Sequence, residues 1–452
     1  MIETSEAAAA ALATGQSTDA RFRLSLLAVT AAGAAWRLGY LFVVKADQKL
    51  LLNDSLYYSI QAGLNSEGSW FKDALTDQPG AEHGMLTSLY LTPWSVGSGD
   101  GVFQQRLGMT LLGIVTVAVI GLVGRRLAVT LGAADVRHDG VLGNAERVGI
   151  VAAVIAAVYP NLWLNDSLVM SETLAMLLVS LSLLVALHHH ANPTVRSGVV
   201  LGLVVALGAL TRSEVVLFVA GFALLSAVVT RRRERPPWPA VAIVGAAALT
   251  LMPWAIYNAG RFDEPVLLST NDGNTLLGAN CDATYYDDVG GWDIRCLGPL
   301  EMGTLGHEPG APDASERSKV RRDDAIDYIT GHLDRLPVVT LARVGRLLDL
   351  YGYTSLVRLD VGEEKAEWAV WVGIVCWWVL AVFAILGWCV LRRRAVAARW
   401  WLVVPVVAVL ATTILFYGAH RIRAPMEPAV VLLASVTLVT WWERRRPGTL
   451  DP

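Results

Sequence analysis

The residues best suited to chemistry follow the first long apolar run, where the chain reads Leu52-Asn53-Asp54-Ser55-Leu56-Tyr57-Tyr58, then Gln61-Ala62-Gly63-Leu64 and Gly68. A carboxylate held at a membrane edge beside aromatic rings is the right kind of group to accept a proton from a hydroxyl nucleophile. The same position also suits a helix cap, the ordinary use of an Asp that follows an apolar helix. Glu82-His83 follows in the same loop, and other ionisable groups lie in or beside later apolar runs: Glu172, Thr211-Arg212-Ser213-Glu214 and His420-Arg421-Ile422-Arg423. Charge at such depth needs a protein partner or a water-filled cavity around it.

The arginines admit two uses. A planar guanidinium binds phosphate oxygens bidentately and keeps its charge, which would suit Arg421 and Arg423 to an anionic leaving group. Both could instead snorkel to lipid headgroups. Arg212 is either a site residue or the buried partner of Glu214, and Glu172 either contacts substrate or pairs with Arg212 or Arg37. Glu82 and His83 could contribute metal ligands, but no HExxH or paired His/Cys spacing appears, so no metal is assigned and a divalent cation stays an open question. His188 to His190 read as interfacial side chains. There is no Walker A or GxGxxG motif to hold a nucleotide.

The elements that position these groups are read from composition. Hydrophobic residues make up 54% of 452 positions and charged ones 17%, with mean hydropathy +0.46, so a bilayer is the solvent. Ten apolar runs are candidate spans: 24–44, 107–124, 148–164, 168–187, 198–210, 215–229, 238–256, 368–391, 400–418 and 429–442. The fold class expected is an α-helical polytopic membrane protein of about ten transmembrane helices. No cleavable signal is evident at the first run. Arginines at 21 and 23, 125 and 126, 196, 231–235, 392–399 and 444–446 fall on alternate sides of these runs, which places both termini in the cytoplasm of a multi-pass plasma-membrane protein.

The opposite, exoplasmic side receives two long loops. The domains expected are a disordered tail 1–20, a membrane module 21–256 with about seven spans and a first loop 45–106, an exoplasmic loop 257–367, C-terminal spans 368–442 and a basic tail 443–452. The 257–367 loop carries 20 Asp+Glu against 11 Lys+Arg. Strand and turn signals at 269–274 and a helical pattern from 314 predict a small mixed α/β subdomain there. Cys281 and Cys296 lie in this loop, and in an oxidising compartment they are a natural disulfide. The basic clusters are short and sit at helix ends, so nucleic acid is not a partner.

Several segments resemble the GT-C superfamily of membrane glycosyltransferases, which includes the bacterial protein O-mannosyltransferases and the aminoarabinose transferase acting on lipid A. The acidic residue and Tyr-Tyr after the first run are similar to its first exoplasmic loop, although Asn53 and Ser55 replace the common Asp-Glu pairing. Tyr159-Pro160, Asn165-Asp166 and Met170-Ser171-Glu172 resemble its third and fourth spans. Thr211-Arg212-Ser213-Glu214 is similar to its Thr-Arg-Pro-Glu turn, and Arg421-Ile422-Arg423-Ala424-Pro425-Met426-Glu427-Pro428 to its Arg-x-Arg-x-Pro-x-x-Pro segment. Glu82-His83-Gly84-Met85 stands where many members have a proline-rich turn.

The resemblance implies inverting transfer of a sugar from a polyprenyl-phosphate donor to an acceptor hydroxyl, with Asp54 as general base. Asn53, Tyr58, His83, Glu172, Arg212, His420, Arg421 and Arg423 are then the substrate-binding candidates. No cofactor is required. The partners are the lipid-linked donor, the bilayer and a glycan, lipid or protein acceptor. Trp70, Tyr285, Tyr286 and Trp292 could stack on sugar faces, or serve as interfacial anchors. The competing reading is a lipid or glycan transporter, which would share the spans and the buried charges but leaves the long acidic loop without a role.

Overall fold

The computed structural model describes residues 2–73, 78–97, 101–132, 145–298 and 312–445, with side chains from residue 19 onward except at 131–132. The helices, in chain order, are α1 (Ile2–Tyr40), α2 (Asp54–Ser66), α3 (Met85–Leu91), α4 (Val102–Gly132), α5 (Ala145–Val158), α6 (Pro160–Trp163), α7 (Glu172–Ala191), α8 (Val195–Ala209) and α9 (Leu217–Arg232). They continue as α10 (Trp238–Ala259), α11 (Asp272–Gly278), α12 (Ala314–Gly331), α13 (Leu336–Leu347), α14 (Tyr353–Gly362), α15 (Glu367–Arg393), α16 (Arg399–Leu415), α17 (His420–Arg423) and α18 (Glu427–Arg444). α1 starts at Ile2, so helix extends back through the segment expected to be a disordered tail.

Among the described residues, seven helical stretches are long and apolar enough to cross a membrane: Asp19–Lys45, Val102–Thr130, Glu172–Ala191, Ser213–Arg232, Trp238–Ala259, Glu367–Arg393 and His420–Arg444. The other three expected spans are helical but shorter. The run at 148–164 is cut because Tyr159 is extended and Pro160 opens a new helix, leaving α5 with 14 residues. α8 and α16 have 15 and 17 residues. α8 reaches α10 closely because Gly198 and Gly202 face its backbone. A Cβ at either would come within 2.4 Å of the Pro239 carbonyl oxygen or 2.2 Å of that of Ile243, the small-residue contact by which helices approach in lipid.

The expected mixed α/β subdomain is not found. Among the described residues there is no named strand, and the isolated bridge joins Lys72 to Pro79. The strand expected at 269–274 instead runs into α11, because Gly273 lets that helix lie on α12, where a Cβ would come within 2.0 Å of the Ser318 carbonyl oxygen. α12 starts at a capping box made by Asp313 and Glu316. Cys281 and Cys296, just after α11, are bonded to each other.

Buried ion pairs tie these inter-helical segments to the spans. Arg37 in α1 meets Asp166 at 2.6 Å and also donates to the carbonyls of Ala156 and Ala157 at the end of α5. Arg106 in α4 meets Glu364 at 2.6 Å, and both side chains are wholly buried. Glu364 also accepts from the Leu51 N–H and the Ser55 hydroxyl, so the segment before α15 is fixed against the start of α2. Replacing Glu364 by Ala leaves Arg106 charged and unpaired in the interior. The expected cost is about 3–5 kcal/mol, seen as a lowered unfolding midpoint of the detergent-solubilised protein; an unchanged midpoint would remove this lock from the account.

Candidate active site

Asn53, not Asp54, caps α2: its Oδ1 accepts from the Ser55 N–H at 2.8 Å while its Nδ2 donates to the Gly362 carbonyl. Asp54 therefore has no capping duty, and its carboxylate faces a cavity of about 500 Å³. One wall comes from Leu52, Asn53, Asp54 and Glu82. α14 supplies Leu356, Arg358 and Leu359, and Asn271, Asn274, Trp292, Arg317 and Arg321 also line it. Tyr417, His420 and Arg421 close the floor. This volume lies within the roughly 300–1,000 Å³ usual for small-molecule sites.

Arg421 organises the floor. Its guanidinium lies 2.6 Å from Asp54, 3.2 Å from Glu172 and 3.2 Å from Glu363. The second oxygen of Asp54 has His83 Nε2 at 3.5 Å. Glu172 is shared with Arg212 at 2.6 Å, and Arg212 also holds Glu214 at 2.6 Å. Of the two pairings open to Glu172, the structure has the one with Arg212, while Arg37 goes to Asp166. On the other side Glu363 meets Lys365, Lys365 meets Asp360, and both His420 ring nitrogens lie 2.5 Å from carboxylates, Asp360 and Asp349.

Not every expected site residue reaches the cavity. Arg423 is buried between Asp349 at 2.7 Å and Glu427 at 2.8 Å and does not line it. Tyr58 is buried behind His83, with ring centroids 5.1 Å apart. Of the four aromatic residues considered for sugar stacking, Trp292 alone lines the cavity. Tyr285 is buried and bonded to Asn280, Tyr286 lies under Arg335, and Trp70 packs on Phe71. Among the described residues no group of three or more His, Cys, Asp or Glu has metal-holding geometry.

Sequence reasoning passed over Glu363, Asp360, Asp349 and Arg358. The signal available was the charged run Asp360 to Lys365 directly before an apolar helix, where acidic residues must be paired or solvated. Gly84 was flagged only as a departure from a proline-rich turn. In the structure a Cβ there would come within 2.4 Å of the Thr211 carbonyl oxygen, so Gly84 lets the His83 segment lie against the Arg212 turn.

Burial alone would raise the Asp54 carboxyl, but the Arg421 guanidinium and then His83 outweigh it and hold Asp54 well below the usual carboxylate range. Burial works against protonation of His83, yet Asp54 holds it above the ordinary imidazole value. Asp54 is thus an anion throughout neutral and mildly acidic conditions. Its pairing contributes to stability fully above the unfolded carboxylate value of about 3.9 and loses that contribution only as pH falls through the lower folded value. Replacing Arg421 by Gln removes the main opposing charge. We expect the acid limb of any Asp54-dependent activity to move up by about 1–3 pH units; a limb that stays in place would show that Arg421 does not set the state of Asp54.

No protein-family model matches the chain, and no curated protein matches it. Solved structures do. The chain is similar to the archaeal oligosaccharyltransferase AglB of Archaeoglobus fulgidus in complex with an inhibitory peptide and a dolichol-phosphate, with TM-score 0.57 and 13% identity over 94% of this chain and 51% of that one. It is also similar to the oligosaccharyltransferase of the same organism in complex with Zn and sulfate, with TM-score 0.53 and 12% identity over 91% and 48%. The chain spans about half the length of these structures. At such identity the likeness shows a shared fold, that of a helical multi-pass membrane protein.

Proposed function

We propose that this chain is a membrane glycosyltransferase of the GT-C type that moves a sugar from a polyprenyl-phosphate donor to an acceptor hydroxyl on the exoplasmic face. The observation that carries the reading is Asp54: a carboxylate relieved of capping by Asn53, kept ionised by Arg421, and facing a cavity open to both apolar and polar walls. A likeness in fold to an enzyme solved with a dolichol-phosphate supports the donor class. A transporter site is expected near the middle of its spans. This cavity is lined mainly by segments outside them, with His420 and Arg421 at the very start of the last span, which favours the enzyme.

In this reading Asp54 takes the proton of the acceptor hydroxyl, whose oxygen attacks the anomeric carbon. The bond from that carbon to the phosphate oxygen breaks, and polyprenyl phosphate departs with inversion. The leaving anion is met best, in the first place, by a cation that is not already neutralised. Arg421 faces three carboxylates, and Arg423 is buried away from the cavity. Arg358 on α14 is exposed, lines the cavity and, among the described residues, has no hydrogen-bond or ion-pair partner. Its neighbour Val357 belongs to a buried cluster with Tyr40 of α1 and Ala369 and Val370 of α15, which ties α14 to the ends of two spans. A lipid tail lying over Leu52 and Leu359 would bring its phosphate to Arg358, with Arg421 as the second cation.

The reading is tested by transfer of radiolabelled sugar from polyprenyl-phosphate donors in membranes carrying wild-type protein or Asp54→Asn at matched expression. Asn keeps the size of Asp but cannot take a proton, and Arg421 keeps Glu172 and Glu363. The expected loss is about 10²- to 10⁴-fold with donor binding retained. Equal transfer by the two would remove Asp54 as the base, and absence of transfer by wild type with every donor tried would remove the enzyme reading.

A further inference from the structure

The part of the cavity lining that contains Trp292 is more than a boundary. Trp292 is held there by three independent ties. Its indole N–H donates to the Asn274 carbonyl at 3.2 Å, the next residue, Asp293, donates its N–H to the Gly278 carbonyl at 2.9 Å, and the Cys281 to Cys296 bond closes the segment that contains both. The indole lies directly on Gly278, where a Cβ would come within 2.1 Å of Nε1. Only glycine leaves room for the ring in that position. Trp292 is half-buried and borders the cavity. It is a rigid aromatic surface whose polar edge is already satisfied, which leaves its face for an apolar contact.

The polar groups that line the cavity with it keep hydrogen-bonding capacity in reserve. Asn271 occupies the N-cap position of α11, where an Asn ordinarily accepts from the helix N–H groups, yet its side chain makes no such bond and lines the cavity. Among the described residues its amide has no hydrogen-bond partner. Asn274 accepts from Arg321 through Oδ1, and its amide nitrogen donates to no described group. Arg321 itself borders the cavity. A fixed aromatic residue that shares a cavity lining with two amides and a guanidinium offers an apolar face together with donors and acceptors of the kind that the hydroxyls of a sugar ring require.

We infer that Trp292, Asn271, Asn274 and Arg321 form a saccharide-binding subsite in the lining of the cavity. If the proposed glycosyl transfer is correct, the ring bound here belongs to the acceptor, which makes the acceptor a glycan and not a peptide; a remote sugar of an oligosaccharide donor presents the same chemistry. The subsite exists whether or not transfer takes place, so its test does not depend on that activity alone.

Two measurements decide it. Binding of alkyl glycosides to the purified, detergent-solubilised protein is followed by saturation-transfer NMR for wild type, Trp292→Ala, Trp292→Phe and Asn271→Ala. The expectation is binding by wild type, at least tenfold weakening in Trp292→Ala and Asn271→Ala, and near-wild-type binding in Trp292→Phe, which keeps a ring. Where wild type transfers sugar, KM is then measured separately for the glycan acceptor and for the donor. A rise in acceptor KM with kcat nearly unchanged in Trp292→Ala places the bound ring on the acceptor, and a rise in donor KM places it on the donor; either supports the subsite. Wild-type protein that binds no glycoside, or Trp292→Ala and Asn271→Ala proteins that bind and transfer as wild type does, overturns the inference while leaving the role of Asp54 intact. Glycoside binding that depends on Trp292 in a protein without transfer activity leaves the subsite standing and removes the glycosyltransferase reading.

Discussion

The arrangement depends on one constraint: charges removed from water at the end of a membrane bundle must find each other. Arg421 satisfies it by gathering Asp54, Glu172 and Glu363 from three distant parts of the chain. Each of those carboxylates is costly to bury alone, so the segments carrying them have few other places to go. The long inter-helical segments are thereby drawn onto the bundle, and the cavity is the space left between them. The same pairings set the chemistry, because the charge that fixes Asp54 in place also keeps it ionised.

The network gives the site an internal logic. Asp54 is the member most open to the cavity, with a side chain 27% exposed against 1% for Glu172 and 13% for Glu363. Glu363 also borders the cavity, but Asp54 is the carboxylate of the three most open to a substrate. When an anionic group enters beside Arg421, the hold on Asp54 weakens and its basicity rises. In the proposed reaction the donor phosphate would thus strengthen the base that the acceptor needs.

Much of the membrane architecture was legible because apolar run length is a one-dimensional property. Each expected span falls on helix, and of the three short ones the run at 148–164 is cut by the break at Tyr159 and Pro160. The subdomain was misread because Asn271, Asp272 and Gly273 signal a turn equally well before a strand or before a helix. Its contact with α12 decides between them. Arg421 and Arg423 look alike in sequence, but two residues apart on a helical turn they point to different sides, one toward the cavity and one toward Asp349 and Glu427. The pairs Arg106 with Glu364 and His420 with Asp349 join residues far apart in the chain, and no local pattern announces them.

The most direct measurement is a structure of the membrane-reconstituted protein with a polyprenyl phosphate bound. The account places the phosphate within hydrogen-bond reach of Arg358 and Arg421, with the lipid chain over Leu52 and Leu359 and the Asp54 carboxylate facing the position of the sugar. A phosphate found at mid-depth between the spans, with the Asp54 cavity empty, would contradict it.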